Sequence, residues 1–372
     1  MNDMNNTQVA RLDVNSRSRT HLGRYERYIF RKRMILILAT IITVMIALYS
    51  TGVGTLHITV DEVLRTILGN GTQQAETIIM GIRLPRITAG ILVGGLLAAS
   101  GAIMQCVLRN PLASASTLGV SQGAAFGAAV GILFFAGGTV NSPSAATAVV
   151  IENFYTVTFC AFIFGTLSTF VVLAISQFKK NIGPSGLVLA GTALSCMFSG
   201  GSTLLQYFAD ETKIGAIVFW TFGDLGSTSW TELLILFIIF ILSMIFFLIN
   251  RWNYNAMESG ADTAKSLGVN TRAVMLISML VCSLIASAAV AFVGIISFVG
   301  LIAPHIMRKF VGNDYRYLIP CSAVAGGLLL VLADTFARTI VSPVILPIGA
   351  ITSFLGGPMF LFLLFKGGKL RG

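Results

Sequence analysis

Charged side chains are scarce in this sequence of 372 residues. Asp, Glu, Lys and Arg together make up 11% of it, whereas 55% is hydrophobic. Soluble globular domains carry about 25% charged residues, so the composition excludes an ordinary water-soluble fold. Apolar runs of about 20 residues recur along the chain, and each is long enough to cross a bilayer as a helix. We therefore predict an all-α integral membrane protein in contact with membrane lipid.

Histidine and cysteine are few and dispersed. The three histidines are scattered, and the five cysteines lie singly in apolar stretches without any CxxC spacing. A lone histidine near a helix end, such as His305, is more often a structural group than a metal ligand. We predict no metal site and no disulfide, and we expect the cysteines to pack in the core. They are Cys106, Cys160, Cys196, Cys282 and Cys321.

The sequence also lacks the signatures of proteins that bind ATP or work alone. It contains no GxxxxGK[ST] loop, so ATP would be bound by a partner subunit and the chain itself would need no cofactor. A membrane enzyme would need a nucleophile and base, or a metal cluster, on one face, and the sequence shows neither. A stand-alone secondary transporter is the alternative that we keep, although the paired membrane acids expected of one are missing.

A net charge of +10 would suggest nucleic acid as a partner of a soluble protein. Here the basic residues cluster at the ends of apolar segments, and no nucleic-acid-binding module is present. We therefore predict no nucleic-acid partner. The positive charges instead report the orientation of the chain in the membrane.

Ten apolar segments are predicted to be membrane helices. An even number places both termini on one side of the membrane. With the termini in the cytoplasm, that side holds all 25 lysines and arginines except Arg65, Arg83, Arg86, Lys213 and Arg338, as the positive-inside rule requires. We predict a multi-pass protein of the plasma (inner) membrane. The segments are 34–53, 86–107, 116–136, 150–176, 186–208, 231–250, 272–293, 295–308, 318–337 and 348–366.

The chain divides into two predicted parts. Residues 1–33 are polar and rich in arginine, and they read as a cytoplasmic tail. The apolar stretch from Met34 is followed by no small-residue cleavage site, so we expect a retained helix and no signal peptide. Residues 34–372 form a polytopic membrane domain with a polar cytoplasmic loop at 251–271. Within it, Gly119, Gly123, Gly127 and Gly131 recur at four-residue spacing, which predicts close helix packing.

Three stretches carry a family resemblance. They are RLPRITAGILVGGLLAASGAIMQCVLRNPLASASTLGVSQGAAFGA (83–128), GIISFVGLIAPHIMRKFVGNDYRYLIP (294–320) and ADTFARTIVSPVILPIGAITSFLGGPMF (333–360). In order and spacing they resemble the permease subunits of iron-siderophore, haem and cobalamin ABC importers (FecCD-type, type II importers). The resemblance covers roughly residues 55–365, which is far more than a short motif.

The resemblance implies a fold and a set of partners. The fold would be the helical bundle of the vitamin B12 importer permease, with about ten transmembrane helices. The chain would pair with a second permease subunit, either a copy of itself or a paralogue. Two ABC ATPase subunits would drive transport from the cytoplasm, and an extracellular or periplasmic substrate-binding protein would deliver the ligand. We rank a ferric siderophore first as the substrate, haem second and cobalamin third.

Positive charges at the outer mouth would be the docking site for the binding protein. In the family, arginines that match Arg83, Arg86 and Arg338 pair with acidic residues of that protein, and a guanidinium can bind a carboxylate through two hydrogen bonds. The alternative is that these side chains only anchor helix ends. Because Arg338 follows Asp334 by four residues, an ion pair within the helix is expected as well.

Two short segments would narrow the pathway on the cytoplasmic side. The resemblance assigns this gate to Asn110 and Leu112 of the RNPLA motif and to the turn at Gly183, Pro184 and Ser185. Pro111 stops a helix and biases Asn110 toward an extended backbone, which fits a tight turn. A plain connector between helices would explain the proline equally well.

The polar loop at 255–269 would contact the ATPase. It is long enough for two short helices separated by Gly260, and a solvated loop with no partner is the alternative. Ser259 and Ala261 stand where the family commonly has leucine and an acid, and Asp262 is a substitute for that acid. The coupling residues implied by the resemblance are Met257, Gly260, Asp262, Lys265, Leu267 and Gly268.

The segment 215–230, GAIVFWTFGDLGSTSW, resembles the short helix that lines the outer vestibule in the family. Asp224 stands in this segment where a small serine is usual. Its carboxylate would face either a cationic group of a ligand or bulk water, and we expect solvation.

Overall fold

The computed structural model describes residues 2–54, 58–135, 138–140, 149–151, 153–178 and 183–368. Within these ranges the chain is a helical bundle, as predicted, and a small antiparallel pair of strands is the only sheet, with Gly138 opposite Ile151. The elements are α1 (Asn2–Gly52), α2 (Val60–Ile67), α3 (Gln73–Ile78), α4 (Leu84–Val107), α5 (Val120–Phe134), β1 (Gly138–Val140), β2 (Val149–Ile151), α6 (Phe154–Phe178), α7 (Pro184–Tyr207), α8 (Glu211–Phe222), α9 (Trp230–Ile249), α10 (Arg251–Glu258), α11 (Ala261–Ser266), α12 (Thr271–Val293), α13 (Val299–Val311), α14 (Tyr315–Thr339) and α15 (Ile348–Gly368).

Each of the ten predicted spans corresponds to a helix. Seven helices in the described ranges are long and apolar enough to cross a membrane: Glu26–Gly52 of α1, Gln73–Val107, α6, α7, α9, α12 and α14. The segment Gln73–Val107 joins α3 to α4 through a π-helical turn, Ile79–Arg83. Helix α5 and the segment Ile348–Met359 of α15 are apolar but shorter.

The eighth predicted span, 295–308, is shorter and later than expected. Helix α12 ends at Val293 and is followed by Gly294, whose φ is 76°, and Phe298 has a φ of 64° immediately before α13. These two left-handed residues turn the chain between the helices, so the helix starts at Val299. It has 13 residues and contains Pro304, and it is too short to be a full span.

Helix α1 is continuous from Asn2 to Gly52, without a break at the predicted boundary between residues 33 and 34. Lys32, which the predicted division places in the tail, is buried on α1. Its Nζ lies 3.7 Å from Asp314 Oδ2 and 4.1 Å from the centre of the Tyr28 ring. The division into a cytoplasmic tail and a membrane domain stays a prediction.

The core is built around α4. Within the span that contains α4, 89% of the most apolar window is buried, compared with 11% for α7. Helix α4 contacts α14, α12, α13 and α9. Gly94 and Gly326 let the backbones of α4 and α14 meet, because a Cβ on either glycine would overlap the other helix.

The predicted glycine face packs α5 against α6. A Cβ at Gly123 would lie 2.6 Å from the Phe164 carbonyl oxygen, and Gly127 and Gly131 approach α6 in the same way. Gly119 differs, because it precedes the helix with a φ of 86°. The spacing therefore predicted a real close contact between two helices.

Candidate transport pathway and its contact sites

The three predicted docking arginines lie together at the start of α4 and the end of α14, the ends that are predicted to face outward. Asp334 joins two of them: its Oδ1 accepts from Arg86 Nε at 2.7 Å, and its Oδ2 accepts from Arg338 Nε at 2.9 Å. Arg86 Nη1 also lies 3.2 Å from Asp224 Oδ1. We call Asp224, Arg86, Asp334 and Arg338 the outer charge chain. The expected Asp334 and Arg338 ion pair is confirmed.

Two arginines hold the outer end of α1. Arg83 Nη1 donates to the carbonyl oxygens of Thr51 at 2.8 Å and Gly52 at 3.0 Å. Arg338 donates to the Val53 carbonyl at 2.9 Å and to Ser50 Oγ at 2.6 Å. The last carbonyls of a helix have no partner within the helix and carry partial negative charge, so a guanidinium stabilises them.

The side chains of Arg83, Arg86 and Arg338 are 6 to 8% exposed. In this structure they anchor a helix end and an interhelical ion pair, which is the structural alternative considered for them. Their docking to a binding protein stays a prediction.

The carboxylate of Asp224 is not simply solvated, contrary to the expectation from the sequence. Its side chain is 57% exposed, but it forms the ion pair with Arg86, and its Oδ1 accepts from the Gly226 backbone N–H at 2.9 Å. The pairing depends on how the loop after α8 folds back over α4, so local sequence could not show it.

The RNPLA motif forms the tight turn predicted for it. Asn110 Oδ1 accepts from the Leu112 backbone N–H at 2.9 Å, and Arg109 has a φ of 48°. Pro111 is exposed, whereas Leu112 is half-buried. The following 3-10 turn, Ser116–Leu118, packs against α7, where a Cβ at Gly191 would lie 2.5 Å from the Thr117 carbonyl oxygen.

The second predicted gate segment is the start of the same helix α7. Gly183 is its N-cap, Pro184 opens the helix and is half-buried, and Ser185 is exposed. Gly191, the contact point for the turn after RNPLA, lies two helical turns further along. The structure thus connects the two segments through α7, and their role as a gate stays a prediction.

The loop at 255–269 contains the two predicted short helices. They are α10 and α11, and Gly260 separates them with a φ of 123° that favours glycine. Asp262 and Leu267 are exposed, at 100% and 67%, and Lys265 Nζ lies 3.5 Å from Asp262 Oδ1. Gly268 ends α11 with a φ of 82°.

Met257 behaves differently from the other predicted coupling residues, because it is buried in the main core. It supports the loop from inside and does not present its side chain to a cytoplasmic partner. The contact with an ATPase stays a prediction for all six residues.

A hydrogen-bond chain attaches this loop to the C-terminal end of α4, which is predicted to face the cytoplasm. Glu258 Oε1 accepts from Asn313 Nδ2 at 2.7 Å, and its Oε2 accepts from Tyr315 Oη at 3.2 Å. Arg308 donates to Tyr315 Oη at 3.4 Å and to Gln105 Oε1 at 2.6 Å. We call Glu258, Tyr315, Arg308 and Gln105 the inner hydrogen-bond chain. Gln105 and Arg308 are 203 residues apart, so the local sequence does not indicate that they meet.

A polar cavity of about 300 Å³ lies between this chain and the RNPLA turn. The Nη2 atom of Arg109 is 3.8 Å from the position of a Cβ on Gly260, so the predicted gate turn and the predicted coupling loop are neighbours. The cavity is lined by Gln105, Cys106, Arg109, Asn110, Pro111, Met257, Glu258, Arg308 and Asn313.

Asp314 fastens the same loop to α1 and α14. It accepts from Asn255 Nδ2 at 3.3 Å and from Arg316 Nη2 at 2.8 Å, and it pairs with Lys32. Burial alone would raise the pKa of Asp314, but the hydrogen bonds from Arg316 and Asn255 outweigh burial and lower the pKa below its ordinary value.

The cysteines follow the prediction except at one position. Cys106, Cys282 and Cys321 are buried and Cys160 is half-buried, but Cys196 is exposed on α7. The expectation that it packs in the core of this chain is therefore wrong. No group of three or more His, Cys, Asp or Glu that could hold a metal occurs among the described residues.

Comparison with known proteins agrees with this arrangement. The model of the FecCD transport family matches residues 39–366. An ABC transporter permease protein of Methanocaldococcus jannaschii is 48% identical over 343 residues, which cover 92% of this chain and 97% of that protein. The iron(3+)-hydroxamate import system permease protein FhuB of Bacillus subtilis is 39% identical over 293 residues, covering 78% of this chain and 72% of that protein.

A solved structure, an inward-facing conformation of a metal-chelate type ABC transporter, has a TM-score of 0.77 and 31% identity, covering 90% of this chain and 99% of that one. The fold, the motif order and the matched length agree. The chain belongs to the FecCD transport family, and it is a permease subunit of an ABC transporter.

Proposed function

We propose that this chain forms half of the pathway through which a ferric siderophore is imported, with haem or cobalamin as less favoured substrates. The observation that carries the mechanism is the inner hydrogen-bond chain. It links an exposed cytoplasmic loop to the end of α4, directly before RNPLA. A displacement of the loop would therefore reach the gate turn through side chains that are already in contact.

The ATPase would dock on the exposed part of the loop. Asp262 and Lys265 lie on α11, Leu267 and Gly268 follow its end, and Gly260 allows the turn that precedes it. Asp262 and Lys265 form only a long, exposed ion pair, which costs little to exchange for contacts with a partner. Met257 would transmit the movement inward because it is buried beneath the loop.

Helix α7 would line the pathway beside a second permease subunit. Only 11% of its most apolar window is buried within this chain. Its exposed residues include Thr192, Cys196, Ser199 and Thr203, which a lipid-facing surface would disfavour. A homodimer or a pair with a paralogue would cover this face equally well.

An external binding protein would deliver the complex at the outer mouth. We propose that its acidic residues meet Arg83, Arg86 and Arg338. Because these side chains are buried, docking would require them to exchange Asp334 and the α1 carbonyls for carboxylates of the partner. The termini would lie in the cytoplasm, following the distribution of lysine and arginine.

The test is uptake into proteoliposomes that contain the permease with its ABC ATPase, supplied with the binding protein and a radioiron-labelled ferric trihydroxamate. Uptake should require ATP, and reversing both charges (Asp262→Lys with Lys265→Glu) should reduce it strongly. Reversal of the exposed pair Asp61 and Arg65 (Asp61→Arg with Arg65→Asp) is the control, because it also inverts an exposed ion pair within one helix, four residues apart instead of three, away from the loop. Uptake by the permease without any ATPase would instead establish a secondary transporter.

A further inference from the structure

Two cavities meet at the outer side of the molecule. One has a volume of about 270 Å³ and the other about 340 Å³, and both are lined by Phe219 and Asp224. The first lies among aromatic rings, since Phe154, Trp220 and Phe292 also line it. The second lies against the segment 344–347 that precedes α15. Asp224 therefore lies between two largely apolar cavities.

The backbone holds Asp224 in this position. Its N–H donates to the Val293 carbonyl oxygen at 2.8 Å. Gly223 before it has a φ of 73°, and a Cβ there would lie 2.9 Å from the Ile295 carbonyl oxygen. The carboxylate is thus placed by the packing of the loop against the end of α12.

One carboxylate oxygen of Asp224 is available to a ligand. The bond from Gly226 and the ion pair with Arg86 both use Oδ1, and in the described part of the chain Oδ2 receives no hydrogen bond. Of the residues that line the two cavities, only Asp224 and Arg86 are charged. Arg86 is buried, so the accessible charge in this space is negative.

The stronger contacts of the two arginines behind Asp224 go to other groups. Arg86 makes its shorter contact, 2.7 Å, with Asp334, and Arg338 is shared between Asp334 and the end of α1. The outer charge chain therefore has its negative end toward the cavities and its positive end toward the carbonyls of a helix. A cation that binds Asp224 would displace little from Arg86.

We infer that Asp224, with Phe219 and Trp220, forms a subsite for a cationic group of the transported complex, such as the ammonium group of an amine-bearing ferric chelate. A carboxylate beside aromatic faces is the usual protein environment for an ammonium group. Anionic chelates would be disfavoured at the same place. This inference rests on the proposed function, since it specifies the class of substrate.

The experiment compares two probes that differ in one charge: a linear ferric trihydroxamate with a free primary amine and the same chelate acetylated on that amine. Binding of each radioiron-labelled probe is measured on the permease–ATPase complex in nanodiscs without binding protein. The wild type should bind the amine form about tenfold more tightly, the effect of one partly desolvated cation contact. Asp224→Asn should abolish the preference, and Asp224→Glu should retain most of it.

The controls separate a local effect from general surface charge and from misfolding. Asp61→Asn removes another exposed outer carboxylate, away from the cavities, and should leave the preference unchanged. Phe219→Leu should reduce the preference about threefold, because it removes the ring but keeps an apolar side chain. A melting temperature of Asp224→Asn close to that of the wild type, measured on the purified complex, shows that the variant is folded.

Three outcomes would overturn the inference. They are an unchanged preference in Asp224→Asn, no preference in the wild type, and a weaker association of the binding protein as the only effect of the variant. The last result would make Asp224 a docking residue. In each case ATP-driven uptake of the acetylated probe by the wild type tests the proposed function separately, since that probe carries no ammonium group for the subsite.

Discussion

The two ends of α4 are held by different kinds of contact. At the outer end, the outer charge chain and Arg83 tie α4 and α14 to the end of α1 through buried groups of opposite charge. At the inner end, the inner hydrogen-bond chain joins α4 to a cytoplasmic loop beside a polar cavity of about 300 Å³. At the outer end the three guanidinium groups are buried, whereas at the inner end a polar cavity gives the side chains space to move. Under the proposed function, the loop and the RNPLA turn would move while the outer end of α4 stays in place.

The largest loss of stability is expected from Asp334→Asn, because Asp334 joins Arg86 to Arg338 in the outer charge chain. The change leaves two buried arginines without their shared carboxylate, and the loss of one partner of a buried pair typically costs about 3–5 kcal/mol. The melting temperature of the purified permease in detergent should fall sharply. The control Asp61→Asn removes an exposed ion pair at 2.9 Å and should cost at most about 1 kcal/mol. Equal losses of stability in the two variants would show that the outer charge chain does not hold the ends of the helices together.

Arg83→Gln should have the next largest effect. It removes two hydrogen bonds to the α1 carbonyls, and their loss should destabilise the protein by about 1–3 kcal/mol. The same melting experiment measures it. If Arg83 also docks the binding protein, the variant should bind that protein more weakly than the wild type at low salt. The difference in affinity should shrink as added salt screens the charges. A destabilised variant with unchanged association would leave Arg83 a purely structural residue.

Tyr315→Phe should act on the inner mouth without much loss of stability. The change removes the hydroxyl that joins Glu258 to Arg308 and keeps the ring. Loss of hydrogen bonds of about 1 kcal/mol should raise the ATP hydrolysed per complex imported roughly fivefold, because loop movement no longer reaches α4 fully. The measurement is the ratio of ATPase rate to uptake rate in proteoliposomes.

The matched control for Tyr315→Phe is Tyr317→Phe, a hydroxyl deletion on the same helix that lies outside the inner hydrogen-bond chain. It should leave the ratio of ATP hydrolysis to uptake at the wild-type value. An equal rise in both variants would show that the chain does not carry the coupling.

The smallest expected effect is the pH dependence of stability that Asp314 contributes. The pKa of Asp314 is lowered in the folded protein, so its stabilising contribution is complete above its unfolded pKa of about 3.9 and is lost as the pH falls through the lower folded value. Between pH 5 and pH 3 the wild type should therefore lose more stability than Asp314→Asn. Melting curves at both pH values test this, and parallel losses would show that Asp314 contributes nothing.

Much of the architecture could be predicted because it depends on local properties of the chain. Hydropathy located ten helices, Gly260 marked the turn between α10 and α11, and the four-residue spacing of Asp334 and Arg338 predicted their ion pair. The prediction was less accurate where the backbone departs from regular helix. Phe298 has a left-handed conformation that a phenylalanine rarely adopts, so the late start of α13 was not foreseen.

The sequence by itself determined the membrane class, the order of the helices and the family motifs, because apolar length and motif spacing can be read along the chain. Only the tertiary structure decided that the outer arginines point inward, that Asp224 reaches Arg86 and that Glu258 connects to Gln105. Arg86 and Asp334 are separated by 248 residues. Which charges meet over such distances depends on how α4, α14 and the loops pack, and that packing is a property of the whole bundle.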